Sequence, residues 1–415
     1  MSAFYDALET RTPQEREAAL LAALPRQIAH AQQYSSAFAA ILQGVDAADI
    51  TSRAALARLP VTRKHELLER QKSERSRHAF GGFNAIGFGK AMPRMFASPG
   101  PIYEPEGSRP DYWRMARAIY AAGFRAGELA HNSFSYHFVP AGSMMESGAQ
   151  ALGATVFPAG TGQTEQQVQA MLDLQPHGYI GTPSFLKIIL EKAQSQGQKI
   201  ASLTKALVSG EACPPSLRDW FASQGVAAYQ CYATADLGLI AYETSAREGL
   251  VLDEGVIVEI VRPGTGDPVP EGEVGELVVT TLNPDYPLIR FGTGDLSAVL
   301  PGNCPTGRTN TRIKGWMGRA DQTTKVRGMF VHPGQIAEIV KRFPQVEKAR
   351  LVVTGAMAND QMSLQVETRE LGIGLSEQIA DAVREVTKLR AEIVLLRPGE
   401  LPNDGKVIED ARSYD

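Results

Sequence analysis

Between residues 111 and 208 the chain alternates helix-length stretches with short apolar runs, and that alternation narrows the possible folds more than anything else in it. Helices are predicted over 111–123, 148–152, 164–174 and 183–195, and strands over 129–134, 155–157, 179–180 and 206–208. Neighbouring parallel strands need a crossover of roughly a dozen residues or more, which a helix supplies. The run therefore predicts an α/β fold, with largely parallel sheets covered by helices. From Gly255 the texture turns to a β-rich lobe, with strands at 256–261, 275–281 and 288–291 parted by Pro/Gly turns at 263–266 and 270–275.

Upstream, Thr12-Pro13-Gln14-Glu15 reads as a helix start, with Thr as cap, Pro in the first turn and Glu at the third helical position. Leu20, Leu21, Leu24 and Ile28 follow at helical spacing, and Pro25 is expected to kink or break that run. Short helices are expected at 52–58 and 63–68, then loop with short strands from 80 to 107. Charge and glycine cluster at 318–328, as in a linker. Beyond it, helices at 333–341 and 376–386 and strands at 348–353, 362–366 and 391–396 read as a small α+β domain. The expected division is a large domain over 1–320 and a small one over 321–415.

Composition removes several functions. With 42 basic against 46 acidic residues the net charge is −4, which offers no basic face to a nucleic acid. Cys213, Cys231 and Cys304 are isolated, and the seven histidines never take a two-residue metal spacing, so the cysteines read as reduced thiols of a cytoplasmic protein. No apolar run approaches the ~18 residues of a membrane helix. Met1-Ser2-Ala3-Phe4-Tyr5-Asp6 has neither the basic start nor the apolar stretch of a signal peptide.

Common nucleotide and nucleophile motifs fail. No GxGxxG follows a strand and no GxSxG is present. In Gly399–Lys406 the glycines stand one residue too far apart for a phosphate loop, and Val407 sits where a magnesium-binding Ser or Thr belongs. Four polar motifs remain, in order: Tyr232-Ala233-Thr234-Ala235-Asp236, then Tyr286-Pro287-Leu288-Ile289-Arg290-Phe291-Gly292-Thr293-Gly294-Asp295. Gly318-Arg319-Ala320-Asp321 with Lys325-Val326-Arg327-Gly328 is the third, and Pro402-Asn403-Asp404-Gly405-Lys406 the last. Singly each is weak; in this order they resemble the adenylate-forming (AMP-binding) superfamily. Finer likeness covers nearly the whole chain and points to its phenylacetate–CoA ligase branch. It is carried by Phe4-Tyr5, Glu9-Thr10-Arg11-Thr12, Leu59-Pro60-Val61-Thr62-Arg63-Lys64, Gly153-Ala154-Thr155-Val156 and Gly181-Thr182-Pro183-Ser184-Phe185.

That resemblance implies ATP-dependent activation of a carboxylic acid through an acyl-adenylate, release of pyrophosphate, and transfer to coenzyme A. Lys406 would be the catalytic cation aimed at phosphate charge; by position alone it is a surface lysine after an Asp-Gly turn. Asp295 would accept the ribose hydroxyls, or else cap a turn after Gly294. Arg319 would meet ribose or phosphate, or form a surface ion pair, and Asp321 would be the hinge of a mobile C-terminal lid domain. Tyr232, with Ala233 and Thr234, would stack on adenine opposite Gly210-Glu211-Ala212, or be a core tyrosine. Asp236 stands where the family has a magnesium-binding glutamate, or caps a following helix. Phe134, Tyr136, His137, Ala141 and Gly142 would line an acyl pocket suited to an aromatic acid, or be plain core. A homodimer is the assembly the resemblance implies.

The likeness breaks at one place. The family's Ser/Thr/Gly phosphate loop, ending in Gly-Lys-Pro, aligns with Phe96-Ala97-Ser98-Pro99-Gly100-Pro101-Ile102-Tyr103-Glu104-Pro105-Glu106-Gly107. Ser98 and Gly100 still suit a phosphate, but prolines remove amide donors, the lysine is gone, and Glu104 and Glu106 add negative charge. Ala233 also replaces a glycine, and Cys304 lacks a second cysteine for zinc. Three functions follow: a CoA ligase, an adenylating enzyme serving an amine or carrier protein, and a non-catalytic binding protein.

Overall fold

A computed structural model describes residues 3–412 apart from 264, 321, 323, 332, 356–359, 371 and 403–406. The chain forms two compact units, Met1–Cys213 with Leu217–Met317, and Gly318–Asp415 with Pro214–Ser216.

The larger unit is built on a nine-stranded mixed sheet. Its parallel half runs Thr155–Pro158, Leu129–Asn132, Gly178–Gly181, Lys205–Val208 and Ala227–Thr234. The last strand then pairs antiparallel with Gly238–Glu243, and the sheet continues through Leu250–Leu252, Arg312–Ile313 and Val299–Leu300. Strand 227–234 is thus the seam between the two halves. The β-rich lobe is a separate four-stranded sheet in the order Thr62–Arg63, Phe291–Ser297, Gly275–Thr281, Val256–Val261.

Helices Thr164–Leu174 and Pro183–Ser195 form where the sequence places them. The second is set by Thr182, whose hydroxyl accepts from the Phe185 amide, and by Pro183 in the first turn. The Thr12/Glu15 capping box also forms. Pro25 does not break its helix, which runs unbroken over Pro13–Tyr34. An interior proline costs about 3 kcal/mol, but Leu24 and Ile28 beside it are fully buried. Burying each such side chain contributes roughly 1.5–3 kcal/mol, enough to offset the proline.

Three boundaries move. The helix expected from 111 covers only Ala116–Ala121, because Asp111 and Arg114 take positive φ and the Asp111 carboxylate accepts from the Ala116 amide at 3.1 Å. The helix expected at 148 already starts at 141, spanning Ala141–Ala151. The strand expected at 288–291 instead spans Phe291–Ser297, so Asp295 lies within a strand and not in a turn.

The smaller unit pairs helices Pro333–Lys341 and Ile373–Thr387 with a four-stranded sheet ordered Glu392–Leu396, Gln361–Thr368, Val346–Thr354, Ile408–Asp410. Alternate residues of its two central strands, Leu351 and Val353 on one and Leu364 and Val366 on the other, fill the core with Ile336, Ile339, Ile379 and Val383.

Candidate active site

The site is built around the seam strand. A shift of register falls between Tyr232 and Ala233 against the neighbouring strand, the kind of irregularity that re-aims a side chain. The Tyr232 hydroxyl donates to Asp295 Oδ2 at 2.7 Å, and the Trp316 indole Nε1 donates to Asp295 Oδ1 at 3.1 Å. Asp295 is only 9% exposed. Phenol and indole, both neutral donors, therefore fix the plane of this carboxylate at the edge of the β-rich lobe. Tyr232 is half-buried, and Trp316 keeps 44% of its surface exposed.

Strand Lys205–Val208 ends in Ser209 and Gly210. Gly210 has φ +80°, a left-handed conformation that favours glycine, and a side chain there would meet the Phe134 ring and Thr182. Glu211 accepts from the Ser184 hydroxyl at 2.5 Å, and Ala212 is half-exposed beside it. The 210–212 turn is thereby brought to Phe134, joining two segments that the sequence alone could only list separately.

The segment 132–142 is tied by Asn132. Its Nδ2 donates to the Tyr136 hydroxyl at 2.8 Å and to the Gly142 carbonyl at 2.9 Å, and its Oδ1 accepts from the Phe134 amide at 3.2 Å. A Cβ on Gly142 would stand 2.8 Å from the Ser135 carbonyl and the Tyr136 ring, so only glycine fits. Burial, reinforced by Glu146, raises the Tyr136 phenol and keeps it neutral. Phe134, Tyr136, Ala141 and Gly142 come together here, whereas His137 is exposed and Phe138 is 81% exposed. Behind them buried His131 meets Gln167 at 2.7 Å, and burial lowers its pKa.

Asp236 lies in the turn between two strands rather than ahead of a helix, so the helix-cap alternative falls away. It is buried, its Oδ2 holds the Lys64 ammonium at 2.8 Å, and its Oδ1 has no hydrogen-bond partner among the described residues. Among the described residues no three His, Cys, Asp or Glu side chains gather as a metal cluster.

The segment 94–106 is a hairpin, Arg94–Ser98 against Ile102–Glu106. Glu104 is fully buried and takes both the Ser98 hydroxyl and the Ser98 amide, the latter at 3.2 Å. Burial first, and then the Asp236 charge, push its carboxyl up to about 8, against Lys64 and the Ser98 hydrogen bonds. Glu106 pairs with Arg94 at 2.9 Å and accepts from Ser143 at 3.1 Å. Gly100 forms the turn with Pro99 and Pro101.

Arg319 lies half-buried in the smaller unit. Asp321 and Lys406 lie outside the described residues. Lys64, Trp316 and the burial of Glu104 escape sequence reasoning. Lys64 closes the quoted Leu59–Lys64 stretch, the one local sign that it belongs near the site. A separate cleft of about 540 Å³, with Arg58, Arg63, Glu66, Asp267 and Arg290 in its walls, opens on the β-rich lobe. Two of its arginines are already paired, Arg63 with Glu276 and Arg290 with Glu259, so it is the weaker candidate.

The model of the AMP-binding enzymes matches residues 115–283, and that of the AMP-binding enzyme C-terminal domain matches 328–411. The chain belongs to the AMP-binding, adenylate-forming enzymes. It is 30% identical to a phenylacetate–coenzyme A ligase of Thermus thermophilus over 395 residues, 86% of this chain and 87% of that one. The same enzyme of Aromatoleum evansii is 30% identical over 397 residues, covering 91% and 87%. Within the class, the chain is therefore a member of the phenylacetate–coenzyme A ligase family. A solved 2-hydroxyisobutyryl-CoA ligase, crystallised with its acyl-AMP and CoA, shares the fold at a TM-score of 0.81, with 24% identity over 100% of this chain and 93% of that one. No described helix is long and apolar enough to cross a membrane.

Proposed function

We propose that the chain is a carboxylate–CoA ligase. A carboxylate oxygen attacks the α-phosphorus of ATP, pyrophosphate leaves, and the thiol of coenzyme A then attacks the acyl carbonyl and expels AMP. The observation that carries this reading is Asp295, held by Tyr232 and Trp316 so that its carboxylate can receive a ribose diol. The Tyr232 face and the Gly210-Glu211-Ala212 turn bound the adenine. Phe134, Tyr136, Ala141 and Gly142 bound the acid, and the two rings suit an aromatic one; His137, next to Tyr136 in the chain, is exposed.

Asp236 fits a magnesium ligand, since a buried carboxylate oxygen without a partner calls for one. When bound, magnesium would neutralise phosphate charge. The chain's own contribution there is Lys64, which keeps Asp236 oriented. Arg319 would meet ribose or phosphate, and a mobile lid from Asp321 onward would carry Lys406 as the cation of the adenylation step. Free, buried cysteines suit the cytoplasm, and a homodimer is the assembly we expect.

ATP–pyrophosphate exchange with magnesium and a panel of aryl, arylacetic and short aliphatic acids tests this. Exchange with an acid, followed by thioester formation when CoA is added, is the expected result. Exchange without thioester would move the acceptor to an amine or carrier protein, and no exchange with any acid would sink the ligase reading.

A further inference from the structure

Every loop that binds a phosphate must have donors to offer it. In hairpin 94–106, Pro99 and Pro101 have no amide hydrogen. Ser98 carries an amide and a hydroxyl, and both already point to Glu104 across the hairpin. Glu104 is fully buried, on the side of the hairpin that senses Asp236 and Lys64. Asp236 in turn follows Tyr232 on the seam strand by four residues, and Tyr232 holds Asp295. The clasp therefore lies beside the segment assigned to the nucleotide and, on the ligase reading, at its phosphate end.

We infer that Glu104 is this chain's internal occupant of the two Ser98 donors, and that it makes the site discriminate between nucleotides by their phosphate number. Resting on the ligase reading, this means that a nucleoside monophosphate binds without disturbing the clasp. A triphosphate either leaves Ser98 unused or must draw it away from Glu104. Asp236 already places a negative charge within reach of Glu104 on that side of the hairpin. Lys64 relieves only part of that, because its ammonium is engaged by Asp236. The substrate preference that follows is strong binding of AMP and acyl-adenylate with comparatively weak binding of ATP, which favours the thioester half-reaction over the adenylating one.

Calorimetric titration of the full chain with AMP, and separately with ATP and magnesium without acid, tests this. The variants are Glu104→Met, Ser98→Ala and the double mutant. Methionine keeps the unbranched shape of glutamate at a somewhat larger volume and removes the acceptor, and Glu104→Ala serves as a second variant if the first does not fold. Glu104→Met is expected to tighten ATP about tenfold, the size of one hydrogen bond to a charged group, with AMP unchanged within about twofold. Ser98→Ala alone should move ATP little, yet it should cancel the gain in the double mutant. Weaker ATP binding in Glu104→Met would overturn the inference, and so would equal changes in AMP and ATP or a gain that survives loss of Ser98. If the parent chain binds no AMP, the ligase reading fails and takes this inference with it; if AMP binds and only the variants disagree, this inference alone fails.

Discussion

Asp295 and Glu104 are two hydrogen-bonded carboxylates of the same unit, and they have opposite fates. Asp295 stands at the margin of burial and is held by two neutral donors from distant parts of the chain, Tyr232 and Trp316. Glu104 is fully buried, held by a serine six residues away on its own hairpin, and lies within the field of Asp236. Donors brought from two separate segments fix the plane of the Asp295 carboxylate where those segments meet. Local closure with a like charge nearby commits the group to its own loop and drives it towards the neutral form.

The largest way to break this comparison is Asp295→Ala. Losing the acceptor of a diol removes two hydrogen bonds to a charged group, so kcat/KM for ATP–pyrophosphate exchange should fall by about a hundredfold or more. AMP affinity should fall in parallel while the unfolding midpoint holds. If both activity and AMP binding persist, Asp295 is a structural carboxylate like Glu104.

Next in size is Gly142→Val. Its Cβ must displace the Tyr136 ring or the 135–136 backbone, which should cost about tenfold in kcat/KM for the acid and leave AMP titration unchanged. A matching loss of AMP binding would mean that the acyl segment does not act separately from the nucleotide end.

Trp316→Phe sharpens the role of the neutral donors. It deletes one hydrogen bond to Asp295, and KM for ATP should rise by about three- to tenfold with kcat little altered.

The smallest effect concerns pH and Glu104. Its carboxyl titrates at about 8 in the folded chain against an ordinary value of 4.5. Between those values the folded state binds the extra proton, so stability contributed by this group is complete below about pH 4.5 and is lost as pH rises through 8. Glu104→Gln should flatten the decline of the thermal midpoint between about pH 5 and pH 8.5, read by calorimetry at matched ionic strength. An unchanged slope would show that Glu104 ionises normally, and the contrast with Asp295 would shrink to one of location.

Much of the architecture is legible because its causes are local. Helix Pro183–Ser195 begins at Thr182 and Pro183, and its apolar positions repeat at helical spacing. Helices Thr164–Leu174 and Pro333–Lys341 and strands Val256–Val261 and Gly275–Thr281 fall where the pattern puts them. Pro25 departs from expectation because its compensation comes from burial, which a helix start does not reveal. The first turns of the 141–151 helix are hidden in the sequence because Ala141-Gly142-Ser143 carries no cap and includes weak helix formers.

At the site, the order of motifs along the chain is enough to single out Tyr232, Asp236 and Asp295 and to flag 96–107 as abnormal. What each group does there needs the folded chain. Tyr232 meets Asp295 across 63 residues, and Lys64 meets Asp236 across 172. Caps, turns and periodicity act within a turn or two of backbone and so are written into neighbouring residues. That Asp295 is held by Tyr232 and Trp316 while Glu104 is buried against its own hairpin depends on the dielectric and partners that appear only when distant segments close around each group.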